Sequence, residues 1–141
     1  MDQKVKKNFK KIFKSNPELM PEIEKYILNV VESSCLIPKN KYEDIEIAVA
    51  EAVANSILHG NKNDITKMVE VEINVTNTQL EISFLDQGKG FDPNAVPDPT
   101  TPENILKGSG RGIHIIKSIV DKLDFEFTNK GTKVKLIFLK N

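Results

Sequence analysis

The run from Ile45 to Asn61, Ile-Glu-Ile-Ala-Val-Ala-Glu-Ala-Val-Ala-Asn-Ser-Ile-Leu-His-Gly-Asn, constrains the fold more than any other stretch of the chain. Alanine at 48, 50, 52 and 54, together with Leu58 and no proline or glycine before Gly60, favours helix. Gly60 marks the end, where a helix C-terminus commonly takes positive φ. Glu51, Asn55 and His59 recur every four residues, a spacing that lays them in one slowly drifting stripe along a single helix face. An ordinary solvent face would also explain a Glu and an Asn. Here Ile47, Ala48, Ala50, Ala52, Val53, Ala54, Ile57 and Leu58 surround the stripe, and a helix apolar nearly all round is usually buried. A carboxylate held there needs a partner. A Glu and an Asn one turn apart suit a general base beside a hard-cation ligand, because the carboxylate can accept a proton and the amide carbonyl can bind Mg2+.

Length bears on how such a helix is covered: 141 residues are expected to form one domain, residues 1–141, large enough for a sheet with helices packed on it. Twenty basic and twenty acidic residues cancel, so neither nucleic acid nor an acidic membrane surface is the expected partner. The single cysteine, Cys35, excludes an internal disulfide framework and a cysteine metal cluster. No apolar run approaches the roughly 20 residues of a membrane span, and the N-terminus lacks a signal-peptide core, so a cytoplasmic location is expected.

Along the chain, Val5, Phe9, Ile12 and Phe13 among lysines predict an edge strand over residues 4–13, the lysines discouraging sheet-to-sheet aggregation. Asn16-Pro17-Glu18 opens a helix to about Ser34, with Leu19, Ile23, Tyr26, Ile27, Val30 and Val31 at helical spacing. After the central helix, Val69, Val71, Ile73 and Val75, a turn at Asn77-Thr78, and Leu80, Ile82 and Phe84 predict an antiparallel hairpin. Its second strand runs into Asp86-Gln-Gly88-Lys-Gly90-Phe91, delivering a carboxylate and two glycines at a strand end. Residues 92–107 hold four of the seven prolines and read as a long functional loop. Ile113, Ile115, Ile116, Ile119, Val120 and Leu123 then predict a helix to about Leu123, and Phe125 to Phe138 a closing hairpin turning at Asn129-Lys130-Gly131.

Five of the seven glycines fall between Gly88 and Gly112 and flank the proline-rich loop on both sides, which suits a ligand approached closely by backbone. Gly108-Ser-Gly110-Arg111-Gly112 opens a helix, so backbone N–H groups and the positive helix end point outward, an arrangement that binds phosphate or simply makes a turn. Of the twenty basic residues nineteen are lysine, and the one arginine, Arg111, lies in this cluster, where a planar two-point phosphate contact would matter. His114 reads as a helix-surface residue.

Taken in order, Glu51-x3-Asn55-x3-His59-Gly60, Asp86-x-Gly88-x-Gly90-Phe91 and Gly108-Ser-Gly110-Arg111-Gly112-Ile113 resemble the three nucleotide boxes of the gyrase, heat-shock chaperone, histidine kinase and mismatch-repair ATPase superfamily. Within it the chain is similar to the bacterial anti-sigma-factor serine protein kinases, which are small and open their first box with Glu. The likeness covers about residues 4–140. It implies an α/β fold, a two-layer α/β sandwich whose mixed, mostly antiparallel sheet carries helices on one face, with ATP between the first-box helix and the loop joining the other boxes. By the same resemblance Glu51 is the general base, Asn55 the Mg2+ ligand, Asp86 the acceptor from the adenine amino group, and Gly90 lies close to the base, with Gly88 also among the nucleotide-binding residues. Gly110, Arg111 and Gly112 hold the phosphates, Gly108 is a further nucleotide-binding residue, and Thr132 supports adenine through water.

The function this implies is phosphoryl transfer from Mg·ATP to a serine or threonine of a small anti-anti-sigma partner, with sequestration of a sigma factor. A homodimer is compatible with that reading. A module that binds ATP and sequesters a regulator without transfer is the alternative, and a stand-alone histidine kinase catalytic domain a third. Histidine kinases that phosphorylate themselves need a phosphoacceptor helix pair, and gyrase-like or chaperone-like members a further domain, for which 141 residues leave no room. The proline-rich loop departs from the family pattern and bears on how a lid would close.

Overall fold

The computed structural model describes residues 7–34, 37–61, 64–87, 111–128 and 131–140, with backbone alone at 59, 60, 111–113 and 128. Strand β1 (Lys7–Lys14) leads through a 3-10 turn at Pro17–Leu19 into helix α1 (Met20–Ser34). Asn16 caps that turn: its side chain accepts from the Glu18 N–H, and Pro17 supplies a φ already suited to a helix start. Helix α2 (Lys39–Ala54) passes directly into a wider π turn, Asn55–Gly60. Strands β2 (Met68–Val75) and β3 (Gln79–Asp86), helix α3 (Arg111–Ile119), and strands β4 (Lys122–Thr128) and β5 (Gly131–Leu139) complete the described chain.

The strands form one sheet in the order β1-β2-β3-β5-β4. Both expected hairpins are present, and β5 rather than β4 joins them, pairing Leu80 with Phe138, Ile82 with Leu136 and Phe84 with Val134. Side-chain pattern accounts for the choice. Leu136, Ile137 and Phe138 are all buried, so β5 is apolar on both faces as an interior strand must be, whereas Phe125 and Phe127 of β4 are only half-buried. All four pairings are antiparallel, so the mixed sheet expected from the resemblance contains no parallel pair among the described residues.

Register assigns the faces. Phe13, Val69, Val71, Ile73, Ile82, Phe84, Val134 and Leu136 point to one side, where Ile23, Ile27 and Val31 of α1 and Ile45, Ala48, Val49, Ala52 and Val53 of α2 close over them in a single core. The α1 residues recur every four positions and each is fully buried, and burying such a side chain contributes about 1.5–3 kcal/mol. The other side of the sheet is polar, with Lys10 to Glu70 at 4.0 Å and Lys135 to Glu81 at 3.7 Å. The result is the two-layer α/β sandwich with helices on one face.

Two elements differ from expectation. Helix α3 stops at Ile119, and Leu123 belongs to β4. The Val120 N–H makes the last helical bond, to Ile116 O at 3.0 Å, while the Asp121 N–H already bonds across to Ile137 O of β5. The Asp121 carboxylate adds a bond from the Leu139 N–H (2.7 Å) and lies 3.6 Å from the Lys41 ammonium, which fixes the corner. Ile47, expected within an apolar surround, is 48% exposed, so α2 does carry an outward face.

Candidate functional site

Asp86 is the last residue of β3 and shares the helix-covered face with Leu80, Ile82 and Phe84, since alternate strand residues point the same way. It is 3% exposed, and a carboxylate so placed is costly unless it is hydrogen-bonded. The Thr132 N–H donates to its Oδ1 at 3.2 Å. Gly131 makes this approach feasible. A Cβ on residue 131 would stand 1.9 Å from the Asp86 carbonyl oxygen and 3.3 Å from Oδ1, so only glycine lets β5 begin against the end of β3.

Glu51 and Asn55 lie one α turn apart at the end of α2, both half-buried. Neither side chain has a hydrogen bond or ion pair with another described residue, although α2 packs over the sheet and α3 lies beside it. The Asn55 N–H is shared between the Ala52 and Glu51 carbonyls, and from there the helix widens until the Asn61 N–H reaches Ser56 O, five residues back, at 2.9 Å. Single π turns inside α-helices occur frequently at functional sites. The widening changes the expected stripe: Glu51 and Asn55 keep the α spacing, but Asn55 and His59 do not, and the His59 side chain lies outside the described residues. The π turn packs on β3, which brings the Asn55 end of the helix to the strand that ends in Asp86.

Arg111 and Gly112 form the first turn of α3, their backbone helical as the glycine cluster led one to expect. Gly88, Gly90, Gly108 and Gly110, and the expected loop over 92–107, lie outside the described residues. His114 is exposed on α3, as read from the sequence.

Asn61, given no role of its own from the sequence, is fully buried between three elements. Its Nδ2 donates to Met68 O at 3.0 Å, and its Oδ1 accepts from the Gln87 N–H at 2.8 Å, immediately after Asp86. The one sequence signal was an Asn directly after the helix-ending Gly60. Ser56, in the same π turn, is buried with no hydrogen-bond partner for its hydroxyl among the described residues.

The sequence profile of the histidine kinase-like ATPase domain matches residues 13–138. The chain is 31% identical over 103 residues to the anti-sigma F factor of Clostridium beijerinckii, covering 72% of this chain and 71% of that protein. It is 34% identical over 94 residues to the anti-sigma F factor of Clostridium perfringens, covering 64% and 67%. Among solved structures, the RsbU and RsbW domains of a Mycobacterium tuberculosis protein superpose with a TM-score of 0.66 at 14% identity; the match covers 96% of this chain and only 33% of that one. The histidine kinase domain of the Erythrobacter litoralis EL346 blue-light activated kinase gives 0.57 at 17% identity, covering 87% and 60%. At these identities the two structures speak for the fold alone.

Proposed function

Because the chain belongs to the histidine kinase-like ATPase domain family, we propose that it is an ATP-dependent serine/threonine protein kinase of the anti-sigma type, acting on a small anti-anti-sigma partner and sequestering a sigma factor. The observation that carries the reading is a buried, hydrogen-bonded carboxylate, Asp86, at the same sheet end as a half-buried Glu51 and Asn55 without partners among the described residues. These residues fit Mg·ATP. The described residues hold no cluster of three His, Cys, Asp or Glu that could cage a metal, and Mg2+ typically takes one or two protein oxygens together with water and nucleotide phosphates.

Mg·ATP supplies the transferable phosphoryl group and counter-charge. In this reading Asp86 accepts from the adenine amino group, with Thr132 supporting the base through water, Gly90 close to it and Gly88 also binding the nucleotide. Asn55 offers its carbonyl oxygen to the metal. Arg111 and Gly112, at the start of α3 where N–H groups favour anions, hold phosphate; Gly108 and Gly110 join the nucleotide-binding set on the resemblance alone. Glu51 takes the proton of the partner's hydroxyl as its oxygen attacks the terminal phosphorus, with release of ADP. No helix among the described residues is long and apolar enough to cross a membrane, which is compatible with the proposed cytoplasmic setting. The relatives are named for their anti-sigma role, and this supports a second reading, sequestration without transfer.

Calorimetry with ATP and GTP, with and without Mg2+, tests the nucleotide site. Asp86 accepts from an amino group where guanine presents a carbonyl, so ATP should bind selectively and more tightly with Mg2+. Equal affinity for ATP and GTP would remove Asp86 from its proposed role.

A further inference from the structure

Beside the bond its carbonyl accepts from the Asp64 N–H, Asn61 makes three bonds that reach the π turn and the ends of β2 and β3. Its backbone N–H closes the π turn on Ser56 O (2.9 Å), its Nδ2 donates to Met68 O at the start of β2 (3.0 Å), and its Oδ1 accepts from the Gln87 N–H just beyond β3 (2.8 Å). The Gln87 side chain completes a ring, its Oε1 accepting from the Met68 N–H at 2.7 Å. A primary amide serves one backbone acceptor and one backbone donor at once from two separate atoms, and the two partners fix which end is which. Aspartate has no donor for Met68 O, and an apolar residue would leave both backbone groups unpaired.

The sheet does not need this clamp for its own registration, because β2 and β3 are already paired from Val75 and Leu80 to Val69 and Asp86. What Asn61 adds is a fixed link between the sheet end and the π turn that begins at Asn55. We propose that Asn61 is a positioning residue for nucleotide, holding the turn that carries the metal-ligand Asn55 at a set distance from the adenine-side carboxylate Asp86. This rests on the nucleotide reading given above. Asp86 is separately held by the Thr132 N–H and by its pairing with Val69, so loss of the clamp leaves the adenine end in place and frees the metal end. A ligand that spans both ends then loses affinity, and one that touches only the adenine end does not.

The test compares adenosine with Mg·ATP on the full chain. In wild type, Mg·ATP should bind more tightly than adenosine; if no such gain exists, the nucleotide reading itself fails. In a folded Asn61→Ala variant the gain should shrink about tenfold or more, the scale of one or two lost buried hydrogen bonds, while adenosine affinity stays within about twofold. A purely structural role would lower the melting temperature and leave that gain intact, which would overturn the proposal. Should the alanine variant not fold, exchange on wild type decides. If the clamp must be closed for Mg·ATP, saturation at about 100 times Kd should slow exchange of the Gln87 amide and the Asn61 side-chain amide roughly a hundredfold, and adenosine should leave both nearly unchanged. Equal exchange with and without Mg·ATP, or equal slowing by adenosine, would sink it.

Discussion

Where β5 begins, Gly131 lies against the backbone of Asp86 so closely that one added methyl group would stand 1.9 Å from a carbonyl oxygen. Gly131→Ala must push β5 away from β3, an overpacking cost of about 1–3 kcal/mol that a urea titration reads as a lower midpoint. The same shift pulls the Thr132 N–H from Asp86, so ATP affinity should fall further than stability alone explains. Asp86→Asn keeps the shape and exchanges a full charge for a weaker acceptor, so calorimetry should show weaker ATP binding with the fold intact. Unchanged affinity would place the adenine elsewhere. Asp86 and Thr132 were both named as candidates from the sequence, through motif and resemblance. Their direct bond was not, because it joins residues far apart in sequence and depends on β5 lying between β3 and β4. Asn61 was illegible for a related reason: its partners are backbone groups, which leave no side-chain signature.

At the scale of elements, period-two and period-four patterns placed the described helices and every described strand but β1, where Phe9, Ile12 and Phe13 do not alternate, and failed where one residue satisfies both. Leu123 continues the helical spacing of Ile116 and Ile119 and also alternates with Phe125 and Phe127; pairing with Leu136 of β5 decides for the strand. The π turn gives no signal of its own, since no proline or glycine interrupts residues 55–59. Between α1 and α2, Glu24 has its pKa raised above the ordinary 4.5, first by burial and then by the nearby Glu46 carboxylate. A carboxylate whose folded pKa is raised favours the fold when protonated. That contribution is fully present below the unfolded pKa and lost as pH rises through the folded value. Glu24→Gln should therefore stabilise at neutral pH, by no more than about 0.5 kcal/mol because Glu24 is only half-buried and Glu46 is exposed and screened, and the gain should vanish in acid. Urea titrations at about pH 7 and pH 3.5 check the sign.

Across the whole molecule, the fold brings together the exit of β3, the start of β5 and the π turn that ends α2, with α3 packed against α2. A balanced charge of twenty basic and twenty acidic residues leaves local chemistry rather than a long-range field to select the ligand. The proposed function requires this site to transfer phosphate as well as bind nucleotide, and Glu51 separates the two. The decisive measurement is transfer of labelled phosphate from Mg·ATP to a bound anti-anti-sigma partner, by wild type and by Glu51→Gln, at matched nucleotide occupancy. Wild type should yield acid-stable phosphoserine or phosphothreonine, and the variant should bind ATP within a few-fold of wild type while transfer falls by about 10² to 10⁴. Transfer by Glu51→Gln at the wild-type rate would refute the general-base role, and a wild type that binds the partner and nucleotide yet never transfers would leave sequestration as the function.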